Sequence, residues 1–492
     1  MIDSQLLLLQ VTLPLIAAPI CLLIKSGRAC WAIAFIVTIS SFSLAAIVFS
    51  YVLTYGVLEY NFGGWVAPWG ISYRVDIVNG LIALLVSAIT TIVLVFARTS
   101  VSNEIKNKNQ SIFYTAWLLC LAGLLGITVT GDAFNLFVFL EISSLASYVL
   151  IAFGQDRRAL TASYQYLVMG TIGATFILIG VGLLYAMTGT LNMVDIAARL
   201  PQGVTNRTAQ TALAFLVVGV GLKLALFPLH LWLPNAYTFA PSAVGAFLAA
   251  TATKVAIYVL LRFLFTVFGF NFSFEEMPLD LIFVTLGIVA VISASAVAIF
   301  QDNVKRMFAY SSVAQIGYMI IGLGLSSKAG LTASILHLFN HAWIKGGIFL
   351  ALGCVAYKLG SVRLGALAGA GYRMPWTMAA FLLAGLSLIG VPLTAGFISK
   401  WYLFEAAIEK DWWLMLIVIV MGSLLSLIYV WRVIEMAYLR RPDHEEEKSE
   451  APLSLLLPTW VLVFASFYFG LDTRLSVGVA HKAAETLIGY SP

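Results

Sequence analysis

Val217-Val-Gly-Val-Gly-Leu-Lys223-Leu-Ala-Leu-Phe-Pro228-Leu-His230 places a lysine deep in an apolar run and a proline shortly after it. Proline removes a backbone donor and clashes with the preceding turn, so a helix through this stretch must break or kink. An apolar run of this kind belongs in a bilayer, where an ionisable side chain is costly and interrupted backbone survives only beside a cavity or inside protein. The stretch therefore reads as a discontinuous transmembrane helix, a feature that marks transfer sites in transporters.

The rest of the chain agrees. Of 492 residues, 61% are hydrophobic and only 10% charged, and the mean hydropathy is +0.96, whereas soluble domains carry roughly a quarter charged residues. Each crossing takes about 20 apolar residues, so this length allows about fourteen crossings with short connections and no sizeable soluble domain. Apolar runs place helices near 5-24, 30-55, 77-98, 112-130, 133-153, 160-187, 209-228, 241-268, 279-301, 306-325, 329-357, 375-406, 412-438 and 452-470. The first run is followed by Lys25 and Arg28 with no small-residue cleavage site, and reads as a retained helix, not a signal peptide. Four scattered cysteines, Cys21, Cys30, Cys120 and Cys354, show no CxxC spacing and speak against disulfide, zinc and cluster roles.

Charge orients the chain. Odd-numbered loops hold Lys25, Arg28, Lys106, Lys108, Arg157, Arg158, Lys305, Arg306, Lys358, Arg363, Arg440 and Arg441, while even ones hold only Arg74, Arg199, Arg207, Lys328 and Lys410. The positive-inside tendency puts odd loops in the cytoplasm and both termini outside. The net charge of +5 follows from such loops and calls for no nucleic-acid partner. The run from Arg440 to Lys448 reads as a solvated cytoplasmic loop.

Three echoes recur in order. Ser143-Ser-Leu-Ala146 returns as Ser311-Ser-Val-Ala314, Lys223-Leu-Ala-Leu-Phe-Pro-Leu229 as Ser387-Leu-Ile-Gly-Val-Pro-Leu393, and Ile257-Tyr-Val-Leu-Leu-Arg262 as Ile428-Tyr-Val-Trp-Arg432. Such an ordered set predicts two five-helix repeats, and an odd number of crossings per unit makes the second copy inverted. The expected division is 1-111 as an N-terminal three-helix segment, 112-270 and 271-440 as the repeats, and 441-492 as charged loop, last helix and short tail.

Within this all-α polytopic membrane protein the ionisable residues inside helices are the functional candidates. Glu141 lies amid Phe134-Asn-Leu-Phe-Val-Phe-Leu-Glu141-Ile-Ser-Ser-Leu145 and is a natural partner for Lys223, although a Glu that merely ties helices together would look the same. Pro392 repeats the break of Pro228 in the twelfth helix and is followed by Lys400; a kink for packing alone is the alternative at both prolines. Lys254 has small and hydroxyl neighbours that leave room for water. His337, His341 and Lys345 recur at steps of four and share one helix face. Two histidines so spaced could bind zinc, but no carboxylate or thiol stands close in that helix, and a proton relay suits them better. His230 and Arg262 fall near helix ends, which suggests an interface or headgroup role, and Asp132 can cap the fifth helix.

The chemistry such a set offers is proton loading. A lysine in a dry site tends toward its neutral form and a neighbouring carboxylate favours the charged one, so moving the partner or wetting the site loads or releases a proton. Glu141, Lys223, Lys254, His337, His341, Lys345 and Lys400 could thus form a chain across the middle of the membrane. No flavin, haem or cluster motif is present, so no cofactor is expected.

Several segments resemble the antiporter-like subunits shared by Mrp-type sodium/proton antiporters, respiratory complex I and membrane-bound hydrogenases. They are Leu136-Phe-Val-Phe-Leu-Glu141-Ile142, Lys223-Leu-Ala-Leu-Phe-Pro-Leu-His-Leu-Trp-Leu-Pro234, Lys305-Arg-Met-Phe-Ala-Tyr-Ser-Ser-Val-Ala-Gln-Ile-Gly-Tyr318, His337-x3-His341-x3-Lys345 and Gly396-Phe-Ile-Ser-Lys400. The resemblance implies fourteen helices with two inverted five-helix repeats, and sets the family's functional Glu and Lys positions on Glu141, Lys223, Lys254 and Lys400. It also implies a role for Glu141 and Lys223 as a switch coupling neighbouring subunits. Partners would be other membrane subunits, protons and sodium, in a bacterial inner membrane. Among family members the Mrp D-type member is the most similar by elimination: the larger members run on past the fourteenth helix, the middle complex I member typically has Glu at the position of Lys400, and the smallest usually lacks the His-x3-His-x3-Lys helix. Hydrogenase-linked members resemble the chain nearly as closely.

Overall fold

A computed structural model describes residues 4–200, 206–440 and 448–489. Most of the charged run, Arg441 to Glu447, lies outside the described residues. Among those described, thirteen helices are long and apolar enough to cross a membrane, and a further crossing is assembled from two shorter helices. In order the crossings are Gln5–Leu23, Gly27–Tyr55, Ile77–Glu104, Gln110–Val129, Ala133–Ala152, Arg158–Thr188, Arg207–Leu224 with Trp232–Phe239, Ser242–Ala250 with Ala252–Leu261, Leu279–Ile299, Val304–Gly324, Lys328–Leu359, Pro375–Ile389 with Ala395–Glu409, Trp413–Ile434 and Leu453–Leu471. Most expected boundaries hold to within about six residues; the seventh crossing, expected to end at 228, runs on through Trp232–Phe239 because the chain re-enters a helix after the break. The outer ring exposes large apolar side chains, among them Ile16, Ile36, Leu160, Leu414 and Phe464. The fourth, eighth, tenth and eleventh crossings are the most buried.

The seventh and twelfth crossings break by the same device. The first half of the seventh ends at Leu224, Ala225 turns left-handed at φ 61°, and the Leu226 N–H donates to Gly221 O. The twelfth ends at Ile389, Gly390 turns left-handed at φ 91°, and the Val391 N–H donates to Leu386 O. Each is a Schellman-type closure, with Pro228 or Pro392 in the turn that follows, so the echo in the sequence corresponds to a shared backbone event. At the first break the Trp232 indole donates to the Leu222 carbonyl at 2.9 Å, beside the 3.3 Å bond that this oxygen accepts from the Ala225 N–H.

At the second break the two half-helices approach closely. A Cβ on Gly396 would overlap the Ser387 carbonyl oxygen across the two halves. Backbone cannot swing aside as a side chain can, so Gly396→Ala is expected to cost about 3 kcal/mol. Chromatography of detergent extracts should show most of the assembled protein lost.

Three features depart from expectation. A third break, without proline, interrupts the eighth crossing at Thr251 (φ −123°, ψ −55°). A two-stranded antiparallel hairpin, Leu58–Asn61 with Ser72–Val75, joins the second and third crossings in an otherwise helical chain. The segment expected to be a short tail contains the helix Arg474–Ile488, which packs on the eleventh and third crossings. Its apolar Val479, Ala480, Ala483, Ala484 and Leu487 form a buried stripe; charged residues between them hide that stripe from any search for apolar runs.

Candidate functional site: a line of buried amines

Lys223 sits on the last turn before the seventh-crossing break. Its Nζ donates to Glu141 Oε1 at 2.9 Å and to Ser144 Oγ at 2.8 Å. The lysine side chain is 4% exposed and the glutamate 24%, so the pair is closed at the amine and partly open at the carboxylate. Beside it lies a cavity of about 20 Å³, lined by Ser143, Ser144, Ser147, Tyr166 and Lys223 among others. That volume admits one water, and the hydroxyls and amine supply its partners. The fifth crossing positions Glu141 through the cap at Asp132, whose carboxylate accepts the Asn135 N–H at 2.7 Å.

The remaining amines are held differently. Lys254 is fully buried and donates to the carbonyl of Ala249, which the Thr251 break frees from the helix ladder. Lys400 donates to the carbonyls of Leu388 (3.2 Å) and Ile389 (2.9 Å) at the twelfth-crossing break, and to Ser423 Oγ at 3.1 Å. Lys345 donates to Phe308 O at 2.8 Å and to Ser311 Oγ. Carbonyl and hydroxyl oxygens accept from a neutral amine as well as from an ammonium. These sites therefore hold the side chain in either protonation state, as a proton carrier requires.

Between them stand the histidines. His337 Nε2 faces Gln315 Oε1 at 3.0 Å and Nδ1 faces Ser399 Oγ at 2.8 Å. Ser399 precedes Lys400, which links this ring to the twelfth crossing. His341 stacks beneath His337 with ring centroids 5.9 Å apart, and both its nitrogens are buried without a protein partner. Lys254, Lys345, His337 and Lys400 all lie within electrostatic reach of it. The structure thus brings His337, His341, Lys254, Lys345 and Lys400 into one cluster, with the Glu141–Lys223 pair in the first half of the chain.

Two expectations are corrected. Arg262 does not face headgroups: it is buried and pairs with Asp76 at 2.6 Å. His230 is buried too, stacked on Phe227 within the seventh-crossing break. Proximity to a helix end misled in both cases, because these ends are themselves buried in protein. The sequence reading also missed Ser144, Ser311, Gln315, Ser399 and Ser423. Ser144 lies one turn after Glu141 and so shares its face, a signal that was available. Cys21 and Cys30, scattered in sequence, meet at the first turn as free thiols, each Sγ contacting the other's carbonyl.

The family described as "NADH:quinone oxidoreductase/Mrp antiporter, TM" matches residues 130–426. The N subunit of the NADH-quinone oxidoreductase of Desulforudis audaxviator is 43% identical over 429 residues, 84% of each chain. The D subunit of the Na(+)/H(+) antiporter of Alkalihalophilus pseudofirmus is 31% identical over 441 residues, 89% of this chain and 85% of that one. Among solved structures, a chain of the Mrp complex from Dietzia sp. superposes with a TM-score of 0.90 at 25% identity, covering 99% of this chain and 97% of its own. Relatives of both kinds are thus similar, and the elimination that singled out the Mrp D-type member does not separate them. With more than half its length matched, and relatives above 30% identity across most of it, the chain belongs to the family of multi-pass membrane subunits shared by NADH:quinone oxidoreductases and Mrp antiporters.

Proposed function

We propose that this chain is the proton-translocating subunit of a multisubunit monovalent cation/proton antiporter. The observation that carries the reading is the Glu141–Lys223 pair at one helix break, together with Lys254 and Lys400, each held by carbonyls at another. A proton enters on the Lys223 ammonium, is released when its carboxylate partner or its hydration changes, and passes through Lys254 and the His341–His337–Lys345 cluster to Lys400. Glu141, with 24% of its side chain exposed, is the group through which a neighbouring subunit would act on the pair. Sodium as the exchanged cation rests on the antiporter relatives. A bacterial inner membrane rests on the bacterial relatives, and both termini outside on the bias of basic loops. The three-helix segment, two repeats and terminal part divide near residues 111, 270 and 440.

A second reading, the proton-pumping membrane component of a redox-driven complex, is favoured by the 43% identity to an oxidoreductase subunit. The test uses the complete complex, expressed with its genomic neighbours, in everted vesicles bearing an imposed pH gradient. Sodium-induced collapse of the gradient without any electron donor is expected. Proton movement only on adding an electron donor would select the redox reading instead.

A further inference from the structure

One set of buried and half-buried charges plays no part in the transfer line. The third crossing, Ile77–Glu104, lies outside both repeats and has a carboxylate at each end. At one end Asp76 caps the helix and pairs with Arg262. The other Arg262 donors are also taken, Nε by Tyr258 Oη at 3.0 Å and Nη1 by Thr266 Oγ1 at 3.3 Å, while Tyr258 Oη donates to Thr128 O. At the opposite end Glu104 Oε2 accepts the Ser242 backbone N–H at 2.9 Å, and Lys305 Nζ donates to Ser242 Oγ at 3.1 Å.

Ser242 and Arg262 lie at the two ends of the eighth crossing, the helix that carries Lys254. The third and eighth crossings run antiparallel, the third about 42 Å long and the eighth about 30 Å, and the two carboxylates of the one reach the two ends of the other. An intact helix fixes the height of its side chains through its own hydrogen-bond ladder; this one is interrupted at Thr251, three residues before the lysine. With only the bonds through Thr251 crossing the break, contacts beyond the ladder help to set where its second half stands. Tyr258 and Arg262 follow Lys254 at steps of four, on the same face, so any shift of the Arg262 anchor is felt at the amine. A carboxylate at the Ser242 end also complements the positive helix N-terminus.

We propose that the third crossing is a strut for Lys254: Asp76 and Glu104 pin the two ends of the broken eighth crossing and act as positioning residues for proton transfer. The inference rests on the reading of Lys254 as a proton carrier. It places control of that carrier in the segment outside the repeats.

The test measures sodium-driven proton movement by the complete complex in everted vesicles, with assembly followed in parallel. Asp76→Asn and Glu104→Gln are each expected to lower the maximal rate at least about tenfold, within the loss of up to about 100-fold that a misplaced transfer group can cause, with the half-saturating sodium concentration unchanged. The paired variant Asp76→Asn/Arg262→Gln removes both charges but keeps a hydrogen-bonded clamp, and should assemble and retain at least about half the parental rate. Parental rates in both single variants, in assembled complex, would overturn the strut. So would a paired variant that assembles but does not transport, since charge and not position would then matter; this arm decides even where a single variant fails to assemble. Lys254→Met is measured alongside. If it transports normally, the carrier reading falls and the strut with it; if it is inactive while Asp76→Asn and Glu104→Gln are fully active, only the strut falls.

Discussion

Replacing Lys223 by alanine is expected to lower proton movement by the assembled complex at least about 100-fold, equivalent to about 2.7 kcal/mol on the barrier. The amine is the one group bonded at once to the carboxylate of Glu141 and to Ser144, and it sits where the seventh crossing comes apart. Removing one partner of a fully buried pair costs about 3–5 kcal/mol, but Glu141 keeps 24% of its side chain exposed and can draw on solvent, so the complex should still assemble. Lys223→Arg separates two roles. Arginine preserves the ion pair yet does not give up its proton in proteins, so a carrier site should be as inactive with arginine as with alanine. Parental transport by Lys223→Arg would show that the lysine serves as a fixed charge only. Vesicle proton movement, normalised to complex content, reads both variants.

Lys254→Met should lose transport to a similar extent, at least about 100-fold. Methionine has nearly the length of lysine and leaves no unpaired charge in a fully buried position. Its main structural cost is the Ala249 carbonyl left without its donor, about 1–3 kcal/mol. Lys254 comes from the first repeat, and its electrostatic neighbours His337, His341 and Lys345 all come from the eleventh crossing in the second. Methionine there therefore severs the line between the two halves while leaving each half chemically intact. Sodium-induced collapse of an imposed pH gradient, against assembled amount, is the measurement; full activity would mean that protons pass elsewhere.

Much of the fold could be read from the sequence because lipid enforces simple patterns. A crossing must be an apolar run of known length, and Pro228 and Pro392 advertise their breaks. The Thr251 break has no such sign: its residues are ordinary helix formers, and what stabilises the interruption is the Lys254 amine on a freed carbonyl, a contact that exists only after folding. The helix Arg474–Ile488 escaped because its apolar positions are spaced for one face.

At the candidate site the spacing along one helix was informative and the contacts between helices were not. Steps of four stacked His337 on His341 with rings nearly parallel, at 10°. Nothing in that helix announces Gln315 or Ser399, which arrive from the tenth and twelfth crossings. The repeat carried more than expected. Ser144 of the first echo receives Lys223, and Ser311 of the second receives Lys345, so a serine pair meets an amine in both halves. The amine comes from the seventh crossing in one and the eleventh in the other, and Ala309 stands where the alignment would put a second Glu141. That asymmetry, an ion pair in one half and neutral acceptors in the other, could not be seen in short matching words.

The most direct test of proton passage through this chain is internal pH in proteoliposomes holding the complete complex at equal copy number, read with a trapped dye after a sodium pulse. The parental complex should change the internal pH within the mixing time, and Lys223→Arg and Lys254→Met should leave it flat although both assemble. Parental pH changes in both variants would contradict a route through these amines and assign the protons to another component of the complex.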